Sequence, residues 1–332
     1  MTRSVHREAT STWTLAVDVG DTTTAIGLPG ETLVVQSRRA GDPLPLRSLT
    51  DRSTTRLGDR ETSTERIVAE MLGRALQWVV DRQRGGPPTR TVLAHPGGWD
   101  DTDVARLRAA AASAGLPGGT TMPAPVAAVH AVLGPAFRGV AGVLDVGGRT
   151  TSAAVVRAGG EPRLLAAGAP QPIGGADLDD VVRELLGEHG AGTWPAAIAA
   201  APWPWEVASR AREELSARTS VRVLEPGGGE PVLLGRAEFE RLAAPLADEM
   251  IGCLTTVLDA APSRLDAILL VGGTGRTPLL SDLITLRFGR SPLVDRHPDL
   301  VVARGLTAAR RAQSTEDCDD DPYGLGDLGE HA

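Results

Sequence analysis

The feature that most constrains this 332-residue chain is a repeat. TLAVDVGDTTTAIGL at 14–28 and GVLDVGGRTTSAAVV at 142–156 share an apolar run ending in Asp-Val-Gly, two variable positions and a pair of hydroxyl residues. The two acids, Asp18 and Asp145, lie 127 residues apart. Solenoid repeats recur every ~20–50 residues, so this spacing marks two similar lobes, each opening on a strand–turn–strand hairpin.

The chain between and beyond the repeats alternates strands with helices. Residues 30–63 are rich in Arg, Thr, Gly and Pro and read as irregular strands and loop. From Thr64 to Gln83 the apolar spacing is helical. TRTVLAHP reads as a short strand, and Asp101–Ala114 as a second helix opening on the cap candidates Asp101 and Thr102. A third helical stretch covers Pro125–Leu133. After the second repeat come VRVL, a helix over Arg236–Asp259, the strand AILLV and GGTGRTP opening a further helix. Such alternation predicts α/β lobes with helices packed on sheets.

The turns carry the chemistry. Glycines at Gly20, Gly147 and Gly148 leave room for a phosphate and let backbone N–H groups converge on one. Thr22, Thr23 and Thr150 add hydroxyl donors. Asp18 and Asp145, each ending a first strand, are placed to hold Mg2+ through its water shell. Two ordinary glycine hairpins would give the same local pattern; the matched pair favours two turns gripping one polyphosphate from both lobes. VGGTGRTP, starting at Val271, puts Gly272 and Gly273 before a helix, where a ligand could meet the helix N-terminus; it lacks the last glycine of a dinucleotide fingerprint.

Composition narrows the chemistry further. All 34 basic residues are arginine, which excludes a Walker-A lysine, a pyridoxal Schiff base and any lysine general base. Arginine clamps a phosphate but does not shuttle a proton. A net charge of −8, from 42 acids against 34 bases, argues against a nucleic-acid or anionic-membrane partner. Cys253 and Cys318 form no CxxC pair and no disulfide framework. There is no apolar N-terminal run and no uninterrupted apolar stretch of ~18 residues, so a cytoplasmic protein is expected.

In this order, the segments resemble the nucleotide-binding domain of the DnaK (seventy-kilodalton heat-shock) chaperones, within the actin-like ATPase superfamily. DVGDTTTAIGL resembles the first phosphate loop of that family and DVGGRTTSAAVV the second; IGGADLD is similar to the GGxDFD segment. AREELSARTSVRV resembles the K-x-x-L-S helix at the adenosine, LLGRAEFERL a helix opening in the same lobe, AILLVGGTGRTPLL the adenosine loop and HPDLVVARGLTAA the closing segment. The resemblance runs from Thr14 to Ala312. It implies a two-lobed actin-like ATPase fold, a duplicated mixed sheet with flanking helices, binding ATP or ADP with Mg2+. The division expected is a flexible N-terminus at 1–11, lobe I at 12–138, lobe II at 139–298, a helix returning to lobe I at 299–312 and an acidic disordered tail at 313–332. It also implies roles. Gly20, Asp21, Thr22 and Thr23 would cradle phosphates from one lobe; Gly147, Gly148, Arg149 and Thr150, together with Gly174 and Gly175, would bind the nucleotide from the other. Asp18, Asp145 and Thr150 would serve catalysis. Arg212 and Ser216 would approach ribose and adenine, with Gly272, Gly273, Thr274 and Arg276 opposite and Asp299 toward the phosphates.

Several positions depart from the family pattern. The family lysine in the first lobe has no counterpart. Ala124 stands where the family has the acid of Glu-Pro-Thr-Ala-Ala. Asp21 replaces a hydroxyl, Arg149 a third glycine and Glu213 an arginine. Loss of one positioning group commonly costs ~10²–10³ in rate, so slow or absent hydrolysis is expected. The span before Thr64 is short for a full upper subdomain of lobe I, and nothing after Ala312 resembles a peptide-binding β-sandwich. His95 and His130 lack ligand spacing and read as core or surface histidines. Trp194, Trp203 and Trp205 read as local packing or a partner surface. Three functions follow: an ATP-binding, chaperone-like or stress-response protein read by a protein partner, a pseudo-ATPase interaction scaffold, or a small-molecule kinase of the same superfamily.

Overall fold

A computed structural model describes residues 13–37, 49, 54–57, 60–82, 87–159, 161–190, 204–224, 230–261 and 264–309. The N-terminus at 1–11, Trp194, Trp203, Cys318 and the acidic tail lie outside the described residues.

The first half opens with strands β1 (Thr14–Val19), β2 (Thr23–Leu28) and β3 (Glu31–Ser37), then a hairpin of β4 (Thr54–Leu57) and β5 (Arg60–Ser63). The stretch read as irregular strands and loop holds β3, β4 and β5, with a register shift where β2 pairs β3. Helix α1 (Thr64–Arg82), β6 (Arg90–His95), α2 (Asp101–Ser113), β7 (Gly119–Pro123) and α3 (Ala124–Val132) follow. The second half holds β8 (Gly139–Val146), β9 (Thr151–Ala158), β10 (Arg163–Ala167), α4 (Gly175–Gly190), α5 (Trp205–Ala217), β11 (Ser220–Val223), β12 (Val232–Gly235) and α6 (Arg236–Ala260). It closes with β13 (Ala267–Val271), a 3₁₀ turn over Gly273–Arg276, α7 (Pro278–Phe288), β14 (Leu293–Val294) and a last helix, α8, over 301–309.

The repeat in sequence is a repeat in topology. One sheet runs β3-β2-β1-β6-β7 and the other β10-β9-β8-β13-β14. In both, the first three strands pair antiparallel and the last three parallel. This duplicated mixed α/β arrangement fits the actin-like ATPase fold. The central strands are buried on both faces, which is why β13, AILLV, reads as a continuous apolar run rather than an alternation.

Helix α1 buries Ile67, Val68, Met71, Leu72, Ala75 and Val79, a stripe at helical spacing, against Leu15 and Val17 of the first sheet. Helix α6 does the same for the second sheet with Phe239, Met250, Ile251 and Leu254. Between the sheets, α3 puts Val126 and Val129 against Val143, Val156 and Leu269 of the second sheet. Helix α8 lays Val302 and Leu306 against Ala16, Val92 and Ala94 of the first. These two helices touch closely: a Cβ on Gly305 would overlap the Ala127 carbonyl.

Two boundaries differ from the sequence reading. Helix α2 is capped by Asp100, whose carboxylate accepts the Asp103 N–H at 2.9 Å. Asp100 has extended backbone while Asp101 and Thr102 are already helical, so neither of those two is the cap. GGTGRTP does not open a helix directly; Gly273–Arg276 make a 3₁₀ turn, and α7 starts at Pro278, whose fixed φ and missing N–H suit a first turn.

Candidate functional site

The carboxyl ends of β1, β6, β8 and β13 face one cavity of about 750 Å³ between the two sheets, the usual place for a ligand in open α/β sheets. The two repeat turns form its floor and have the same geometry. Gly20 N–H donates to the Thr23 carbonyl at 2.8 Å, and Gly147 N–H to the Thr150 carbonyl at 2.8 Å. The amides of Thr22 and Gly148 make no hydrogen bond among the described residues, so each turn keeps a donor for an anion.

The turns face each other and touch. Thr150 Oγ1 donates to Asp21 Oδ2 across the gap at 3.2 Å. Gly148 lies against Thr22 so closely that a Cβ there would overlap Thr22 Oγ1. Glycine is required at that point by space. At Gly272 both space and φ, at +83°, require it, since a side chain would meet the Val146 carbonyl.

Asp18 and Asp145 stand where the strands enter these turns. Burial pushes Asp18 up to about 7, and the nearby charge of Asp145 adds to it. Burial pushes Asp145 up to about 6. Two desolvated carboxylates this close favour a shared cation. Among the described residues no group of three or more His, Cys, Asp or Glu is arranged to hold a metal. The pair thus offers a partial shell, which fits an ion such as Mg2+ that keeps waters or takes oxygens from a ligand.

The second lobe's turn is buttressed from behind. Gly175 N–H donates to the Gly147 carbonyl at 3.0 Å, Ala176 N–H to the Gly148 carbonyl at 2.6 Å, and Thr274 Oγ1 to the Gly147 carbonyl at 2.8 Å. Gly174 and Gly175 therefore support the turn rather than line the cavity, and a Cβ on Gly174 would press on Arg149 N at 2.7 Å. Arg149 also lies off the cavity wall.

Helix α5 supplies the opposite wall. Arg212 is buried and its Nε donates to Asp179 Oδ1 at 2.5 Å. Burial raises the Asp179 pKa while Arg212 pulls it back. Arg276 pairs with Asp299 beside them. Ser216 is absent from the cavity wall; its hydroxyl donates back to the Arg212 carbonyl at 3.2 Å, so the expectation that it meets a ligand is not met in this arrangement.

Sequence reasoning missed several wall residues. Trp205, read as local packing or a partner surface in a Pro-rich loop, is the first residue of α5 and lines the cavity. His95, read as a core or surface histidine, is largely buried and faces the cavity; its Nδ1–H donates to the Pro96 carbonyl at 2.9 Å and its ring stacks on Trp99 at 6.3 Å. The wall as a whole carries eight carboxylates against three guanidinium groups, those of Arg210, Arg212 and Arg276. A polyanion entering this space needs a counter-cation.

Comparison with known proteins gives one family and a set of relatives. Residues 46–317 match the family described as Hsp70 protein; the β1–β2 turn precedes the matched span. Chaperone protein HscA of Pectobacterium carotovorum is 32% identical over 233 residues, covering 67% of this chain and 36% of that protein. HscA homologs of Methylibium petroleiphilum, 34% identical over 222 residues, and Acidithiobacillus ferrooxidans, 30% over 256, cover 64% and 74% of this chain. The chain spans 36–40% of the length of these relatives. No helix among the described residues is long and apolar enough to cross a membrane.

Proposed function

The chain belongs to the Hsp70 family, and from that membership we propose that its interlobe cleft binds ATP and ADP with Mg2+, that binding draws the lobes together, and that hydrolysis is slow or absent. The observation that carries this reading is the pair of matched turns meeting across the cavity, each with an amide that makes no hydrogen bond among the described residues, above the buried Asp18 and Asp145.

On this reading the amides of Thr22 and Gly148 and the hydroxyls of Thr23 and Thr150 hold phosphates. Asp18 and Asp145 orient the waters of Mg2+; the ion, when bound, neutralises phosphate charge. Arg276 and the α5 face around Arg212 and Trp205 take the ribose and base, a guanidinium or indole plane suiting a stacked ring. Lobe closure then excludes water and shows a changed surface to a protein partner.

Weak hydrolysis follows from what the wall lacks. Ala124, at the N-terminus of α3, lines the cavity without an acid, and the chain has no lysine. The upper part of lobe I is reduced in this proposal, with the β4–β5 hairpin belonging to it. A second reading, a scaffold that has given up nucleotide, is favoured by the Asp21 carboxylate bonded to Thr150 where a phosphate would sit. Thermal melting with and without Mg-ADP separates the two. Nucleotide at 100 times Kd stabilises a binding protein by about 2.7 kcal/mol, a shift of several degrees; no shift would leave the scaffold. A phosphate-release assay then reads the rate.

A further inference from the structure

The place where the two turns meet is spanned by a carboxylate. Asp21 of the β1–β2 turn accepts the Thr150 hydroxyl of the β8–β9 turn at 3.2 Å. The equivalent position of the second turn, 127 residues on, is Gly148, which has no side chain. Asp18 and Asp145 face the same cavity from the strand ends below, so three acids share the turn side of the site. On the other wall Arg212 is held by Asp179 and Arg276 by Asp299, so these two guanidinium groups are already committed to other carboxylates.

This inference rests on the cleft being a nucleotide site. With the nucleoside at the α5 wall, as proposed above, the phosphate that would reach the gap between the two turns is the last one of the longer chain. That phosphate is the one Asp21 opposes. It brings negative charge against the carboxylate, and it must displace Asp21 to take the Thr150 hydroxyl. A shorter chain ends before this point and keeps the Asp21–Thr150 bond intact. We propose that Asp21 is a specificity residue that makes the cleft select a nucleoside diphosphate over the triphosphate, with a divalent cation relaxing the selection by neutralising the charge between them.

The test is calorimetric titration of the full chain with ADP and with ATP, each with and without Mg2+, for the wild type, Asp21→Ser and Asp21→Asn. Without Mg2+ the wild type binds ADP about tenfold or more tighter than ATP, as expected for one added like-charge contact in a partly solvated site. Mg2+ narrows that ratio. Both variants close it by tightening ATP more than ADP. Asn keeps an acceptor for Thr150, so agreement between the two variants identifies the charge as the cause. A gap that persists in Asp21→Asn, or equal ADP-to-ATP ratios in all three proteins, overturns the selectivity while the nucleotide site stands. Absence of binding by either nucleotide to all three removes both.

Discussion

Asp18 and Asp145 are the next-to-last residues of strands in two different sheets, yet they lie close enough that the charge of Asp145 raises the pKa of Asp18. Each is the residue before the Val-Gly of its repeat. A pair of acids repeated in sequence has thus become a pair of acids lining one cleft, with the charge of Asp145 felt at Asp18.

The sign of their effect on stability is fixed by the direction of the shifts. Both pKa values are raised in the folded state, Asp18 from 3.8 to about 7 and Asp145 from 3.8 to about 6. The contribution is therefore full below the unfolded value and is lost as pH rises through the folded ones. The metal-free protein is expected to lose stability from these groups between pH 4 and pH 8, on the order of 4 kcal/mol for Asp18 alone. Melting curves across that range check it: Asp18→Asn flattens the profile, and Mg2+ stabilises more at pH 8 than at pH 5.

The buried pair of Asp179 and Arg212 gives a second expectation. Arg212→Ala strands a carboxylate that is 1% exposed, and loss of one partner of such a pair costs about 3–5 kcal/mol. The double variant Asp179→Leu with Arg212→Leu should cost much less, because no buried charge remains. Urea denaturation of the three proteins measures the difference.

Gly148→Ala should separate the turns without unfolding the lobes. The added methyl overlaps Thr22 Oγ1, and the shift falls on the phosphate seat. Nucleotide affinity is expected to fall about tenfold or more, by analogy with other small displacements at positioned sites. Thr22→Ala in the same chain removes the overlapping oxygen and should restore part of the loss in a binding titration.

Restoring an acid at Ala124 should raise turnover. The residue lines the cavity at the N-terminus of α3, where a carboxylate also suits the helix dipole. Ala124→Glu is expected to increase phosphate release about tenfold or more, with nucleotide affinity little changed, in a single-turnover assay.

Much of the architecture was legible in the sequence because it is written twice. The Asp-Val-Gly repeat and the apolar runs before it determine two equivalent sheets, and the glycines of the turns mark where they meet. What the sequence hid depends on side-chain reach between distant segments. Asp179 finds Arg212 on another helix, 33 residues away. Gly174 and Gly175 resemble a ligand loop but pack behind one. Trp205 follows a proline-rich stretch and reads as local packing or a partner surface, and only the start of α5 puts it on the cavity wall. Cap assignment failed for a local reason: three acids and a threonine stand in a row, Asp100 to Asp103, and only the backbone distinguishes the one outside the helix.

Calorimetric titration of the full chain with Mg-ADP tests the central claim most directly. Saturable binding at one site per chain is expected, weakened by Gly148→Ala and by Asp145→Asn, which act from the same lobe through different atoms. A wild-type protein that takes up no nucleotide, or one whose affinity is untouched by both substitutions, would contradict it.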